Sequence, residues 1–196
     1  MIRIGGWSRL STCDWPGRLV TTVFCQGCPW RCGYCHNPDL LDPRTAPAVR
    51  WPDVAAHLAR RRGLLDGIVF SGGEPLLQPG LADAARAARA LGHRVGLHTG
   101  GALPRRFGAL LEAGLLDWVG FDVKAHPDTY EKVTGVRNSA APAVRSLRLL
   151  RDSGVAHQLR TTVDPSVLTA ADVTALRGWL AERGAEGHVW QEARTG

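Results

Sequence analysis

Gly67-Ile-Val-Phe-Ser-Gly-Gly-Glu-Pro75 sets a short apolar run directly against a polar turn built on two adjacent glycines. Gly67–Phe70 reads as a strand covered on both faces, since no polar residue interrupts it. Beyond the turn, the Ala- and Arg-rich run Leu81–Leu91 reads as a helix, with Gly92 placed to end it. Strand, glycine turn and helix form one unit of an α/β fold. The fold class depends on whether that unit repeats.

It does. Further strands are expected at Leu19–Cys25, Arg94–His98, Trp118–Val123, His157–Val163 and His188–Glu192. Helices are expected between them. Trp51–Arg62 carries Pro52 in its first turn, where the missing N–H costs little. Leu103–Ala113 carries Pro104 in the same place and stops before Gly114. Ala143–Asp152 ends near Gly154, and the run after Thr169 opens with a near-capping-box sequence, Thr-Ala-Ala-Asp. Six strands and five helices in strict alternation imply a parallel sheet. A closed eight-unit barrel takes about 250 residues, and this chain has 196. The expectation is a partial, TIM-like (β/α)6 barrel open on one side, with a doubly wound sheet as the alternative. Both build their sites at the C-terminal ends of the strands.

Composition excludes several classes. The chain is 44% hydrophobic and 21% charged, which fits one domain over residues 1–196. No apolar run approaches the roughly 20 residues that span a bilayer. The first residues, Met-Ile-Arg-Ile-Gly-Gly-Trp, lack the apolar centre of a secretory signal. A cytoplasmic location is expected, where clustered cysteines bind metal or react more often than they pair. The net charge of +6 comes almost wholly from arginine, Lys124 and Lys132 being the only lysines. Arginines scattered over helix faces explain it without nucleic acid, because no basic patch interleaved with aromatics accompanies them. His57 and His93 fit helix faces or ends.

The strand exits collect polar residues and glycines. They are Ser71-Gly-Gly-Glu-Pro75, His98-Thr-Gly-Gly101, Asp122-Val-Lys124, Arg160-Thr-Thr162 and Gln191-Glu192. Each has a plain reading. Gly72 and Gly73 can be a tight turn, and Asp122 and Lys124, on one strand face by period two, can be a structural ion pair. Arg160 is costly to bury without an anion. His36 reads as structural when taken alone.

The long irregular segment at about 26–50 is different. It opens with Cys25-Gln-Gly-Cys-Pro-Trp-Arg-Cys-Gly-Tyr-Cys-His-Asn-Pro38. As two Cys-x-x-Cys pairs it resembles a zinc site, but the pairs need roughly 12–20 residues between them to turn back on one ion. A thioredoxin-like pair opens a helix, whereas Cys25 ends an expected strand. Cys28, Cys32 and Cys35 have the short, loop-borne spacing of iron–sulfur ligands. Three thiolates on a four-iron cluster leave one iron open, as an open catalytic zinc site leaves a coordination position.

Cys28-Pro-Trp-Arg-Cys-Gly-Tyr-Cys35 resembles the cluster motif of the radical S-adenosylmethionine (SAM) enzymes, and Ser71-Gly-Gly-Glu-Pro75 is similar to their glycine-rich SAM motif. With Asp14-Trp-Pro-Gly-Arg18, His36-Asn-Pro38, Asp122-Val-Lys-Ala125 and Arg160-Thr-Thr-Val163, the chain resembles the glycyl-radical-enzyme activating enzymes. Those that serve anaerobic ribonucleoside-triphosphate reductase are the most similar. The resemblance implies a [4Fe-4S] cluster on Cys28, Cys32 and Cys35, with SAM on the remaining iron. It implies Tyr34 near the adenine and Gly72, Gly73 and Glu74 at the amino end of SAM. Thr99, Asp122 and Lys124 would line the SAM pocket, and Arg160 would reach its carboxylate or ribose. It adds His36 to the cofactor-binding set and Lys124 to the catalytic one. The implied reaction is reductive SAM cleavage and hydrogen abstraction from a glycine of a partner enzyme, with a flavodoxin or ferredoxin as reductant. A compact radical SAM enzyme acting on a small molecule, such as a deazapurine-forming ring contraction, is the alternative. Relatives often carry an acidic residue where His98 stands, which argues against a cation beside SAM. Val189–Arg194 offers no evident late histidine, and Cys13 and Cys25 are too few for further clusters.

Overall fold

The computed structural model describes residues 1–185 and 187–193. Among the described residues seven strands form one sheet in chain order: β1 (Ile4–Ser11), β2 (Val20–Cys25), β3 (Gly67–Gly72), β4 (Arg94–Thr99), β5 (Trp118–Asp122), β6 (His157–Val163) and β7 (Val189–Glu192). From β2 to β7 every pairing is parallel. Five helices link them: α1 (Trp51–Arg60), α2 (Leu81–Ala90), α3 (Pro104–Glu112), α5 (Ala140–Asp152) and α6 (Ala170–Ala181). A short helix, α4 (Tyr130–Thr134), lies between β5 and α5.

Spatial order decides between the two expected architectures. A doubly wound sheet reverses its strand order at a switch point. Here the order runs monotonically, so right-handed crossovers leave all the helices on one side and the sheet curls away from them. β1 and β7 stay unpaired with each other, and the barrel is open. The strict alternation needs one correction. β1 pairs antiparallel with β2 and adds a seventh strand before the first repeat. Its sequence, with Gly5 and Gly6 and no apolar alternation, carries little strand signal, and its partner supplies the order. Two further elements start differently from expectation, α4 having no sequence counterpart and α5 beginning at Ala140.

Period-two alternation sorts the side chains. Val23, Cys25, Ile68, Phe70, Val95, Leu97, Val119 and Phe121 point to the helices and form the main core. The opposite face fills the bore. Trp15 enters it from the β1–β2 connection and stacks on Trp118 with ring centroids 5.4 Å apart, over Val20 and Val69. Gly96 admits that ring, since a Cβ there would lie 2.9 Å from Trp15. Above this apolar layer the same inward face presents Thr22, Ser71, His98, Asp122 and Arg160 at the strand exits. α6 begins with the full capping box of Thr169 and Asp172.

Phe107 of α3 is fully buried and packs on Phe121 at 6.3 Å between ring centroids. It sits on the helix side, away from the bore. Phe107→Ala is expected to lower unfolding stability by about 3–5 kcal/mol, read by denaturant titration.

Candidate functional site

The strand exits enclose a cavity of about 650 Å³. All the residues proposed from sequence reach it: Cys28, Cys32, Tyr34, Cys35 and His36 from the loop after β2, Gly72, Gly73 and Glu74 after β3, Thr99 from β4, Asp122 and Lys124 from β5, and Arg160 from β6. A smaller cavity of about 440 Å³ lies between α5 and α6, lined by Arg148, Arg151, Trp179 and Arg183. It is on the helix layer and shares none of these groups.

The glycine turn and the cysteine loop are joined through backbone. Gly73 N–H donates to the Cys25 carbonyl at 3.0 Å, and Glu74 N–H donates to the Gly27 carbonyl at 2.8 Å. Neither glycine tolerates a side chain. Gly72 has φ +108°, and a Cβ would lie 2.4 Å from Cys25 N; at Gly73 it would lie 2.3 Å from Gly27 O. The far side of the loop is held by Trp30, which is 5% exposed. Its ring meets Tyr130 edge-on at 5.8 Å and covers Gly100, where a Cβ would be 2.2 Å from the indole. Arg31 N–H donates to the Thr134 carbonyl at the end of α4 at 2.8 Å.

Glu74 is only 2% exposed. Its carboxylate accepts from Leu76 N–H at 3.0 Å, from the Thr99 hydroxyl at 2.8 Å and from Gly100 N–H at 3.2 Å. The side chain therefore ties the β3 exit to the β4 exit, and the backbone of the turn faces the cavity. Burial outweighs these donors and raises its pKa to about 7.

Asp122 binds two cations. Lys124 Nζ lies 3.1 Å from Oδ2, and Arg160 Nε donates to Oδ1. Burial disfavours its charge, yet Lys124 and Arg160 outweigh burial and keep it ionised. Burial likewise opposes the Lys124 charge, and Asp122 holds it protonated. Lys124 also sits 5.6 Å over the Tyr34 ring. The triad carries one surplus positive charge into the cavity, suited to an anionic group. The Tyr34 hydroxyl is buried without a hydrogen-bond partner, a costly state that a ligand in the cavity relieves.

His98 carries no ligand-like freedom. Nε2 lies 2.7 Å from the Asp14 carbonyl, an acceptor only, so Nε2 carries the proton. Nδ1 then accepts from the Ser71 hydroxyl at 3.1 Å. Burial, then the neighbouring Arg160 charge, lowers its pKa to about 4. A neutral imidazole facing a guanidinium gives no seat for a cation. Asp14, whose carboxylate accepts from Thr22 at 2.6 Å, and Trp30 are site components that sequence reading did not assign. Both depend on contacts across the fold.

The three loop thiols are half-buried and free. Burial raises Cys28 to about 12 and raises Cys32 as well, so both are thiols until a cationic centre displaces their protons. Cys25 differs. It ends β2, points to the helix-side core and is fully buried. Among the described residues no three His, Cys, Asp or Glu side chains are placed to share one metal ion. A cluster that offers each thiolate its own iron makes no such demand. His57 and His93 are spent on backbone carbonyls, of Arg9 at 3.2 Å and Leu58 at 2.9 Å.

The sequence from residue 22 to residue 168 matches the family model of the radical SAM superfamily. The chain belongs to that superfamily. It is 30% identical over 178 residues to a protein of Methanocaldococcus jannaschii named as a glycyl-radical enzyme activating enzyme, across 87% of this chain and 72% of that one. It is 33% identical to the pyruvate formate-lyase-activating enzyme of Clostridium pasteurianum and to the pyruvate formate-lyase 1-activating enzyme of Escherichia coli K12. Each match spans 69% of this chain and 58% of the relative. The chain is thus homologous to glycyl-radical-enzyme activating enzymes while spanning little more than half of the latter two. Among solved structures, anSMEcpe with bound AdoMet superposes with a TM-score of 0.67 at 17% identity, over 86% of this chain and 49% of that one. Streptococcus suis SuiB bound to S-adenosylmethionine gives 0.67 at 13% identity, over 87% and 39%. These two establish likeness of fold. The superfamily uses a [4Fe-4S] cluster and SAM.

Glu74 gives a pH signature. Its folded pKa of about 7 lies above its ordinary 4.5. The folded state thus binds the extra proton between these values, and stability falls as pH rises through them. Glu74→Gln, neutral throughout, is expected to remove that slope, worth up to about 3 kcal/mol, in urea titrations from pH 4.5 to pH 7.5.

Proposed function

We propose that the chain, read as a single radical SAM domain over residues 1–196, is an activase. It cleaves SAM reductively at a [4Fe-4S] cluster and generates a glycyl radical on a partner enzyme, anaerobic ribonucleoside-triphosphate reductase. A flavodoxin or ferredoxin-type protein is the reductant, and the location is cytoplasmic. Among the described residues no helix is long and apolar enough to cross a membrane. The observation that carries the reading is the joining of the cysteine loop to the glycine turn in one cavity that also holds the Asp122 triad.

The residues present fit both groups. Cys28, Cys32 and Cys35 would hold the cluster, and three thiolates leave one iron for SAM. Cluster and SAM, when bound, supply one-electron C–S cleavage and hydrogen abstraction. The chain's own contribution is placement. The backbone of Gly72 and Gly73 would receive the ammonium end of SAM, Lys124 and Arg160 its carboxylate or ribose, and Tyr34 its adenine. His36 and Thr99 would close the pocket. Trp15 and Trp118 fill the bore beneath and keep water from below. The partner's glycine must come within a few ångströms of the reacting carbon, and the open barrel leaves room for a loop to enter.

Anaerobic reconstitution, reduction and assay for 5′-deoxyadenosine test the chemistry. Absence of the product from protein with a full cluster would overturn the radical reading. Addition of the reductase should then give a glycyl-radical signal in electron paramagnetic resonance. SAM cleavage without that signal would reject this partner. Cys32→Ala is expected to abolish cluster binding and Cys25→Ala to retain it, by iron and sulfide analysis. Iron loss in the Cys25 variant would overturn the ligand assignment.

A further inference from the structure

Gln26 stands between Cys25 and the first of the loop cysteines, yet it faces away from the cavity and is 1% exposed. Its carboxamide Nε2 donates both hydrogens forward along the chain, to the Asp39 carbonyl at 3.0 Å and the Asp42 carbonyl at 2.8 Å. Its backbone N–H donates to the Arg3 carbonyl at 3.0 Å. Its own carbonyl accepts from Nε2 of Gln78, itself 5% exposed. The Gln78 Oε1 in turn accepts from Arg3 N–H at 2.9 Å. The Arg3 guanidinium extends the same network, donating to the carbonyls of Arg44 at 3.2 Å and Thr45 at 2.7 Å.

These bonds share one target. Residues 39–45 are the returning leg of the loop whose outgoing leg carries the cysteines. The legs are paired at their base by Gly27 N–H to the Leu40 carbonyl at 2.7 Å and Cys28 N–H to the Leu41 carbonyl at 3.2 Å. Gln26 fixes where the return leg lies, and the return leg fixes Gly27 and Cys28. Room for the arrangement comes from Gly5, where a Cβ would lie 2.5 Å from the Gln26 Oε1 and 2.2 Å from Leu40. β1 and the residue after the β3 turn thus meet on one glutamine.

We infer that Gln26, with Gln78 and Arg3, is a latch that positions Cys28 for the cluster before the cluster arrives. Gln26 is a positioning residue: it touches neither the cavity nor the reacting atoms. The inference rests on Cys28 being a cluster ligand, as proposed above. Both amide hydrogens are needed, because each carbonyl lies on a separate turn of the return leg. With the latch open, the loop samples arrangements in which Cys28 is misplaced relative to Cys32 and Cys35. None of these bonds lies within the seven strands or the helices α1–α6, so the rest of the fold does not depend on them.

Gln26→Met keeps length and volume but offers no donor, and Gln26→Glu sets a carboxylate oxygen against two carbonyls. Each is reconstituted anaerobically beside the unaltered protein and Cys25→Ala, and iron release to a chelator is followed with time. Loss of two net hydrogen bonds is expected to speed release at least about tenfold, beyond the release from Phe107→Ala, which lowers stability on the helix side away from the loop. Arg3→Met, which frees the outer part of the return leg at a half-buried position, is expected to give a smaller increase and decides the matter if the Gln26 variants do not fold. Release as slow as in the unaltered protein, from Gln26→Met or, where that does not fold, from Arg3→Met, would overturn the latch. If the unaltered protein takes up no iron–sulfur cluster, the functional reading fails and the latch with it. Release no faster than from Phe107→Ala would also overturn it, as general destabilisation.

Discussion

The site depends on the close approach of two backbone turns. β2 and β3 are neighbours, paired from Val20 with Gly67 to Cys25 with Gly72. Where they leave the sheet, their chains run on within hydrogen-bonding distance instead of diverging. That requires two residues without side chains, because a Cβ at Gly72 or Gly73 would strike the facing backbone. Once the turns are locked, the cysteine loop has a fixed root, and Glu74 extends the lock to β4 through Thr99 and Gly100. The glycines are therefore part of the rigidity of the site as well as an opening in it.

The electrostatics follow from the same inward face. A half-buried carboxylate with two cations is an expensive arrangement, and hydrophobic replacements are often no less stable. The sheet keeps it where period two aims Asp122 and Arg160 into the bore from adjacent strands, paired in register. Lys124 joins from just past the end of β5. The surplus cation is thus presented by largely covered side chains, in a medium where an anion is held more strongly than at a surface. Asp122 is the residue that makes two half-buried cations tolerable together.

Much of this was readable from local sequence. Each parallel strand with its helix is a self-contained signal of apolar run, turn and amphipathic helix, so six of the seven strands and the five long helices could be placed within a few residues. The chemistry was readable for the same reason, since cysteine and glycine spacing are local. What escaped was set by distant partners. Gly5 of β1 has no room for a side chain because Gln26 and Leu40 press against it, which no property of residues 4–11 announces. Nothing along the chain marks Gly100 as the seat of an indole, and only the fold lays Trp30 on it. Asp14 and Trp15 belong to the bore only because the β1–β2 connection folds up into an open barrel.

His98 shows how such distant contacts change a residue's role. Read along the chain, it stands where relatives often carry an acidic residue and argues against a cation site. In the fold both of its nitrogens are committed, one to the Asp14 carbonyl and one to Ser71. The proton assignment follows from the acceptor-only carbonyl, and burial beside Arg160 keeps the ring neutral. A carboxylate there would have no donor in the Asp14 carbonyl and would face it in repulsion. The imidazole therefore anchors the segment that carries Trp15 into the bore, and the floor of the cavity is held by a neutral hydrogen bond while the charge of Arg160 stays committed to Asp122.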